Sequence, residues 1–121
     1  MKISRFEDIE GWQAARKLTT LVYSMTQDNA FKADVDLKRQ LRRAAVSIMS
    51  NISEGFDAGS DAEFQRFLRI AQRSATEVQS HLYVALDQHY IEHDQFDAVY
   101  AQAQQTRRVI GGFIKYLQRV Q

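Results

Sequence analysis

Ser47-Ile48-Met49-Ser50-Asn51-Ile52-Ser53-Glu54-Gly55 is the centre of a longer stretch from Arg42 to Glu77. That stretch reads as the second half of one helix, a glycine-marked turn and the first half of the next. At an advance of ~100° per residue, Ile48 and Ile52 share a side with Leu41, Ala44 and Ala45. Arg43, Ser47, Asn51 and Glu54 fall on one adjacent stripe, at steps of four, four and three. Polar side chains buried so near an apolar seam need partners. The stripe therefore predicts that Asn51 and Glu54 are largely buried and bonded to the third helix, the fourth helix or a neighbouring subunit. Arg69, Ser74, Glu77 and Arg107 are the available partners. A binding site is the alternative reading of the same stripe, but a network that fixes helix register explains it more simply.

Outward from this centre the chain reads as four amphipathic helices. Ser4 and Glu7 stand at capping-box spacing, and the first helix is expected over about 8–27. Its residues Trp12, Ala14, Ala15, Leu18, Leu21, Val22, Tyr23 and Met25 cover about 200° of the wheel, wider than the ~100° that one core contact needs. The excess predicts a second buried contact, with another subunit. A loop at 28–34 follows, with Phe31 placed to tuck its ring against the bundle. Asp34 or Asp36 is expected to cap a second helix over about 36–54, and Gly55 to end it in a left-handed conformation. Ser60-Asp61-Ala62-Glu63 is the clearest helix start in the chain. The third helix then carries Phe64, Phe67, Leu68, Ala71, Ala75, Val78, Leu82 and Leu86, and ends near Gln88. Asp94 is expected to cap the fourth, whose seam is Phe96, Val99, Tyr100, Ala103, Ile110, Phe113, Ile114 and Leu117. Arg107 lies inside that seam and calls for an acidic partner. The pair Gly111-Gly112 predicts a close helix approach.

Short links between four such helices predict an all-α fold, an antiparallel up-down four-helix bundle in a single domain over 1–121. The last two helices come out near 27 residues, or about 40 Å, and the first two near 20, or about 30 Å. That difference predicts uncovered ends on the longer pair, and with the wide first arc it predicts a homo-oligomer.

Composition agrees. The 121 residues contain no proline, five glycines and 45% apolar residues, ordinary for one globular domain and favourable to helix. The absence of cysteine excludes disulfides, thiolate ligands and a cysteine nucleophile. Met1-Lys2-Ile3-Ser4-Arg5-Phe6 carries no secretory apolar core, and no run approaches the ~20 residues of a membrane span. The expectation is a cytoplasmic protein with no membrane partner. A net charge of +1 makes any nucleic-acid signal a local one.

Two basic sets provide such a signal: Lys38, Arg39, Arg42 and Arg43 on the second helix, and Arg66, Arg69 and Arg73 on the third. The last three lie within about 60° of each other, opposite the seam. They form a positive ridge able to hold the phosphates of RNA or DNA, or else a solvated face with weak ion pairs. Neither set is interleaved with aromatic residues that could stack on bases, so binding without sequence preference is expected. His81, His89 and His93, with Glu92 or Asp94, do not share one helical face as metal ligands would. Asp57, Asp61 and Glu63 lack the spacing of a calcium loop, and helix capping accounts for them. No histidine has a nucleophile at a recognisable spacing, and no glycine-rich phosphate loop is present. No catalytic residue, cofactor or metal is therefore assigned.

Longer matches carry a family resemblance. Phe6-Glu7-Asp8-Ile9 with Trp12-Gln13-Ala14-Ala15-Arg16, then Gln40-Leu41-Arg42-Arg43-Ala44-Ala45-Val46-Ser47-Ile48 with Asn51-Ile52-Ser53-Glu54-Gly55, and finally Phe64, Arg66-Phe67-Leu68-Arg69-Ile70-Ala71, Ser74 and Glu77 resemble the proteins encoded within intervening sequences of bacterial 23S rRNA genes. Relatives usually have proline where Met49 stands, which implies a milder kink here, and many have alanine at Ser53. The resemblance implies a left-handed antiparallel bundle that assembles into a ring, typically a homopentamer, with no enzymatic activity. The architecture is also similar to the pentameric basic accessory protein of diversity-generating retroelements, which binds nucleic acid and a reverse transcriptase. The function expected is therefore an accessory or ribonucleoprotein factor using Lys38, Arg39, Arg42, Arg66, Arg69 and Arg73. The alternative is a protein–protein scaffold whose basic residues only pair between subunits.

Overall fold

Periodic apolar residues with few helix breakers produce four helices, and the computed structural model describes them within residues 3–120. They are α1 (Glu10–Thr26), α2 (Val35–Phe56), α3 (Asp61–Asp87) and α4 (His93–Arg119), with single 3₁₀ turns at Phe6–Asp8 and Asn29–Phe31. Among the described residues there is no strand. Each helix packs against two others, α1 and α3 both lying between α2 and α4. The Thr19 hydroxyl donates to Ala45 O (3.3 Å) and Arg42 Nε to Thr26 Oγ1 (2.9 Å), which runs α2 back along α1. The hydroxyls of Ser47 and Ser74 meet at 3.0 Å, and Gln102 Nε2 donates to Ala14 O at 3.0 Å. These pairings make the bundle antiparallel throughout.

The seam expected on α2 is the one buried: Leu41, Ala44, Ala45, Ile48 and Ile52 meet Leu18 and Val22 of α1, Leu68 and Leu82 of α3, and Ile110 of α4 in one core. Thr106 completes the α4 seam, buried because its hydroxyl bonds back to Gln102 O at 2.8 Å. α2 runs unbroken through Met49, as expected where no proline removes a backbone donor.

Several local expectations are corrected. Ile9, not Ser4, precedes α1, and Glu7 pairs with Arg5 at 3.1 Å instead of closing a capping box. Asp34 does cap α2, its carboxylate accepting from Leu37 N–H at 3.1 Å. Ser60 caps α3 through Glu63 N–H at 3.2 Å. On α4 the cap position belongs to Glu92, whose N–H donates to Gln95 Oε1 at 3.3 Å; Asp94 accepts only from the adjacent Gln95 N–H. Gly55 is helical, with no positive φ. It is small because a Cβ there would stand 2.7 Å from Phe67 Cβ. Gly111 likewise faces Gln72 Nε2 at 2.9 Å, whereas Gly112 faces open space. Among the described residues the left-handed one is His89 (φ 63°), and it ends α3.

The ends of α3 and α4 are not left bare. Phe31 is buried against the Tyr90 ring at 5.2 Å, and the Tyr90 hydroxyl donates to Asp34 Oδ2 at 3.1 Å. At the opposite end Ile3, Phe6 and Phe56 pack on the core. The apolar arc of α1 is also narrower than its composition suggests, because Tyr23 points out of it with 37% exposure.

Candidate nucleic-acid interface

The first three turns of α2 pack beside the last turn of α1, and this juxtaposition builds a shallow groove of about 460 Å³. Its lining is Tyr23 from α1 and Val35, Lys38, Arg39, Arg42, Arg43 and Val46 from α2. Val35, Arg39, Arg42 and Val46 follow i, i+4, i+7, i+11 spacing on one face. Arg42 is anchored rather than free. Its Nε donates to the buried Thr26 hydroxyl, and its guanidinium carbon lies 4.4 Å from the centre of the Tyr23 ring. That leaves the two terminal nitrogens for a ligand. Among the described residues no carboxylate lies within 4.0 Å of the cationic groups of Lys38, Arg39, Arg42 or Arg43. Four cations with no ion pair among the described residues make this surface locally positive on a chain of net charge +1, even with Asp34 at the cap and Asp36 in the first turn of the same helix.

The ridge on α3 is weaker than its sequence suggests. Arg66 is engaged by Glu63, with Nε 3.1 Å from both carboxylate oxygens, and lies over the Phe67 ring at 4.7 Å. Arg69 and Arg73 are exposed and have no ion pair among the described residues. The Ser47–Ser74 contact sets the register between the two sets. From it Arg73 lies about 7 Å along the axis from Arg43, and Arg66 about 25 Å from Lys38. The two sets are successive steps along the bundle rather than one cluster.

The central stripe divides. Asn51 is half-buried and donates to Ser47 O at 2.8 Å and Ser47 Oγ at 3.1 Å, and Ser47 carries the link to Ser74. Arg43 and Glu54 are exposed, so within the chain Glu54 is not the buried partner expected of it. Neither Arg69 nor Arg107 reaches the stripe. Arg107 is half-buried between α3 and α4, where it meets amides instead of an acid: Nη1 donates to Gln79 Oε1 at 3.1 Å and to Gln104 Oε1 at 3.2 Å. Glu77 pairs one turn along its own helix with His81, at 3.4 Å. Among the described residues no three of His, Asp and Glu converge as metal ligands. Of the remaining candidates, Asp57 ends α2 and Asp61 begins α3. No helix of the described residues is long and apolar enough to cross a membrane.

Sequence reasoning missed Tyr23, Val35 and Val46, the last two 52% and 39% exposed. By sequence alone Tyr23 belongs to the apolar arc of α1, at its edge. The i, i+4, i+7, i+11 spacing of two valines with two arginines was the available signal. The aromatic that the basic set lacks on α2 is thus supplied by α1. A second exposed apolar pair, Tyr83 and Val84, lies on α3 between Glu77 and Asp87. Tyr83 meets Phe96 at 4.9 Å and Tyr100 at 6.0 Å. The charge on Tyr100, then desolvation and a hydrogen bond between the phenols, raise the Tyr83 pKa above its ordinary 10.0.

Comparison with known proteins agrees with this architecture. A protein of unknown function from the S23 ribosomal protein family of Bacteroides thetaiotaomicron superposes with a TM-score of 0.80 at 21% identity, over 87% of this chain and 98% of that one. No curated protein matches the sequence. The family model of the 23S rRNA-intervening sequence proteins matches residues 7–112, nearly the whole bundle. The chain therefore belongs to the 23S rRNA-intervening sequence protein family.

Proposed function

We propose that this is a cytoplasmic, non-enzymatic accessory protein that holds RNA or DNA by its phosphates. The observation that carries the reading is the groove of Lys38, Arg39, Arg42 and Arg43, none of which makes an ion pair among the described residues. Arg69 and Arg73 continue it along the bundle, and Arg66 joins only by giving up Glu63. In a ring of five subunits these steps repeat around an axis and form a continuous positive band. Titration of labelled RNA and DNA against salt tests this. Log affinity falls with log salt at a slope of about 0.7 to 0.9 per phosphate neutralised. Replacing Lys38, Arg39 and Arg43 by Gln flattens that slope, and replacing Arg66, Arg69 and Arg73 by Gln flattens it less. Absence of binding at low salt defeats the proposal.

A second reading makes the protein a scaffold. Tyr83 and Val84 with Glu77 and Asp87 offer an apolar, acidic patch that matches the apolar, basic groove of another subunit. Two different complementary surfaces on one chain build a head-to-tail ring. Under this reading Lys38→Glu with Arg39→Glu lowers the mass seen by light scattering. Under the first reading it abolishes nucleic-acid binding and leaves the mass unchanged.

A further inference from the structure

We infer that the α1–α2 groove selects single strands over duplexes by stacking a base on the Tyr23–Arg42 pair. This rests on the nucleic-acid reading above and names its substrate class. A phosphate site needs only cations. This one also holds an exposed aromatic ring with a guanidinium parked over it at 4.4 Å. The guanidinium is held there by the bond from Nε to Thr26 Oγ1, and Thr26 is itself buried and bonded to Val22 O at 2.8 Å. Bases splayed from a single strand stack on aromatic rings and on arginine planes alike. A base therefore meets a surface already ordered, with little side-chain entropy left to lose. Val35 and Val46 extend the apolar surface on either side of it. Lys38, Arg39 and Arg43 stand around it for the phosphates. The groove, at about 460 Å³, lies within the ~300–1,000 Å³ range of small-ligand sites. A duplex presents no base faces to such a groove, since each is covered by its neighbours in the stack. It could use only the cations.

The test measures the intact protein against a short mixed-sequence RNA strand, the same strand as a duplex, and an abasic strand of equal charge. Fluorescence anisotropy is read at about 50 mM and about 200 mM salt. The base-bearing strand is expected to bind roughly five- to hundredfold tighter than the abasic one, the range of one stacked base. Tyr23→Leu is expected to remove that preference, while Tyr23→Phe retains it. Circular dichroism verifies that both variants are folded; the abasic comparison uses no variant at all. Equal affinity for abasic and base-bearing strands overturns the stacking inference and leaves the phosphate reading intact. No binding of any strand at low salt overturns that reading, and this inference with it. Competition by an oligoglutamate peptide as strong as by an RNA strand of the same charge overturns the base preference in favour of an acidic protein ligand.

Discussion

His89 ends α3 in the left-handed region, where a side chain is costly. Its N–H bonds to Leu86 O at 3.0 Å and that of Tyr90 to Ala85 O at 2.9 Å, the paired bonds of a Schellman ending. Sequence reasoning gave the left-handed role to Gly55, because glycine is its usual occupant. The helix accepts histidine instead because Tyr90 and Ile91 must turn back onto the core, and their burial stabilises the bend. His89→Gly should raise stability by roughly 0.5–1 kcal/mol in urea unfolding. The neighbouring Tyr90 makes a prediction in pH. Its hydrogen bond to Asp34, then desolvation and the Asp34 charge, raise its pKa above 10.0 in the folded protein. A raised folded pKa means that the neutral phenol is the favoured partner. The stability it contributes is fully present below the ordinary value and is lost as pH rises through the folded one. Unfolding midpoints across about pH 8–11 should therefore fall more steeply above about 10 for the wild type than for Tyr90→Phe.

Glycines separate the elements by how near their neighbours come. Gly55 allows α2 to lie against α3 at Phe64 and Phe67, with no room for a methyl group. Gly112 is helical and open on its outer side. Both would gain up to ~1 kcal/mol of helix propensity as alanine. At Gly55 the clash with Phe67 Cβ, at 2.7 Å, outweighs that gain, since overpacking costs about 1–3 kcal/mol. Gly55→Ala should be destabilising and Gly112→Ala stabilising, and thermal melts of the two should move in opposite directions. The helices themselves were legible: their number, order and seams follow from apolar spacing alone. Their starts were less so, because Ser4, Asp94 and Glu92 are all chemically able to cap. Which one does so depends on where the preceding chain is held.

At the scale of the molecule, Phe31, Tyr90, Ile3 and Phe6 cover bundle ends that unequal helix lengths predict to be bare. The overhang therefore gives assembly no support, and only under the scaffold reading does the pair of exposed patches supply it. Light scattering at micromolar protein should give a multiple of 14.0 kDa, five times that mass for the proposed ring. Glu54 links this to stability. It is exposed in the single chain, so Glu54→Ala should change stability by no more than about 0.5 kcal/mol. A larger loss that grows with protein concentration would locate Glu54 in a subunit contact.

The sequence by itself determined the all-α class, the four helices and the α2 seam, because helical periodicity is local and burial follows from it. It also pointed to the basic residues of α2 and α3. Only the tertiary structure decided which of these lack carboxylates, since Glu63 reaches Arg66 by a choice of rotamer that spacing does not dictate. It alone placed Tyr23 beneath Arg42, because that contact depends on how far α1 and α2 slide past one another. It also left Glu54 in solvent while closing Ser47 onto Ser74. Residues adjacent on a helical wheel can point to different neighbours, and the packing angle between helices decides which of them is covered.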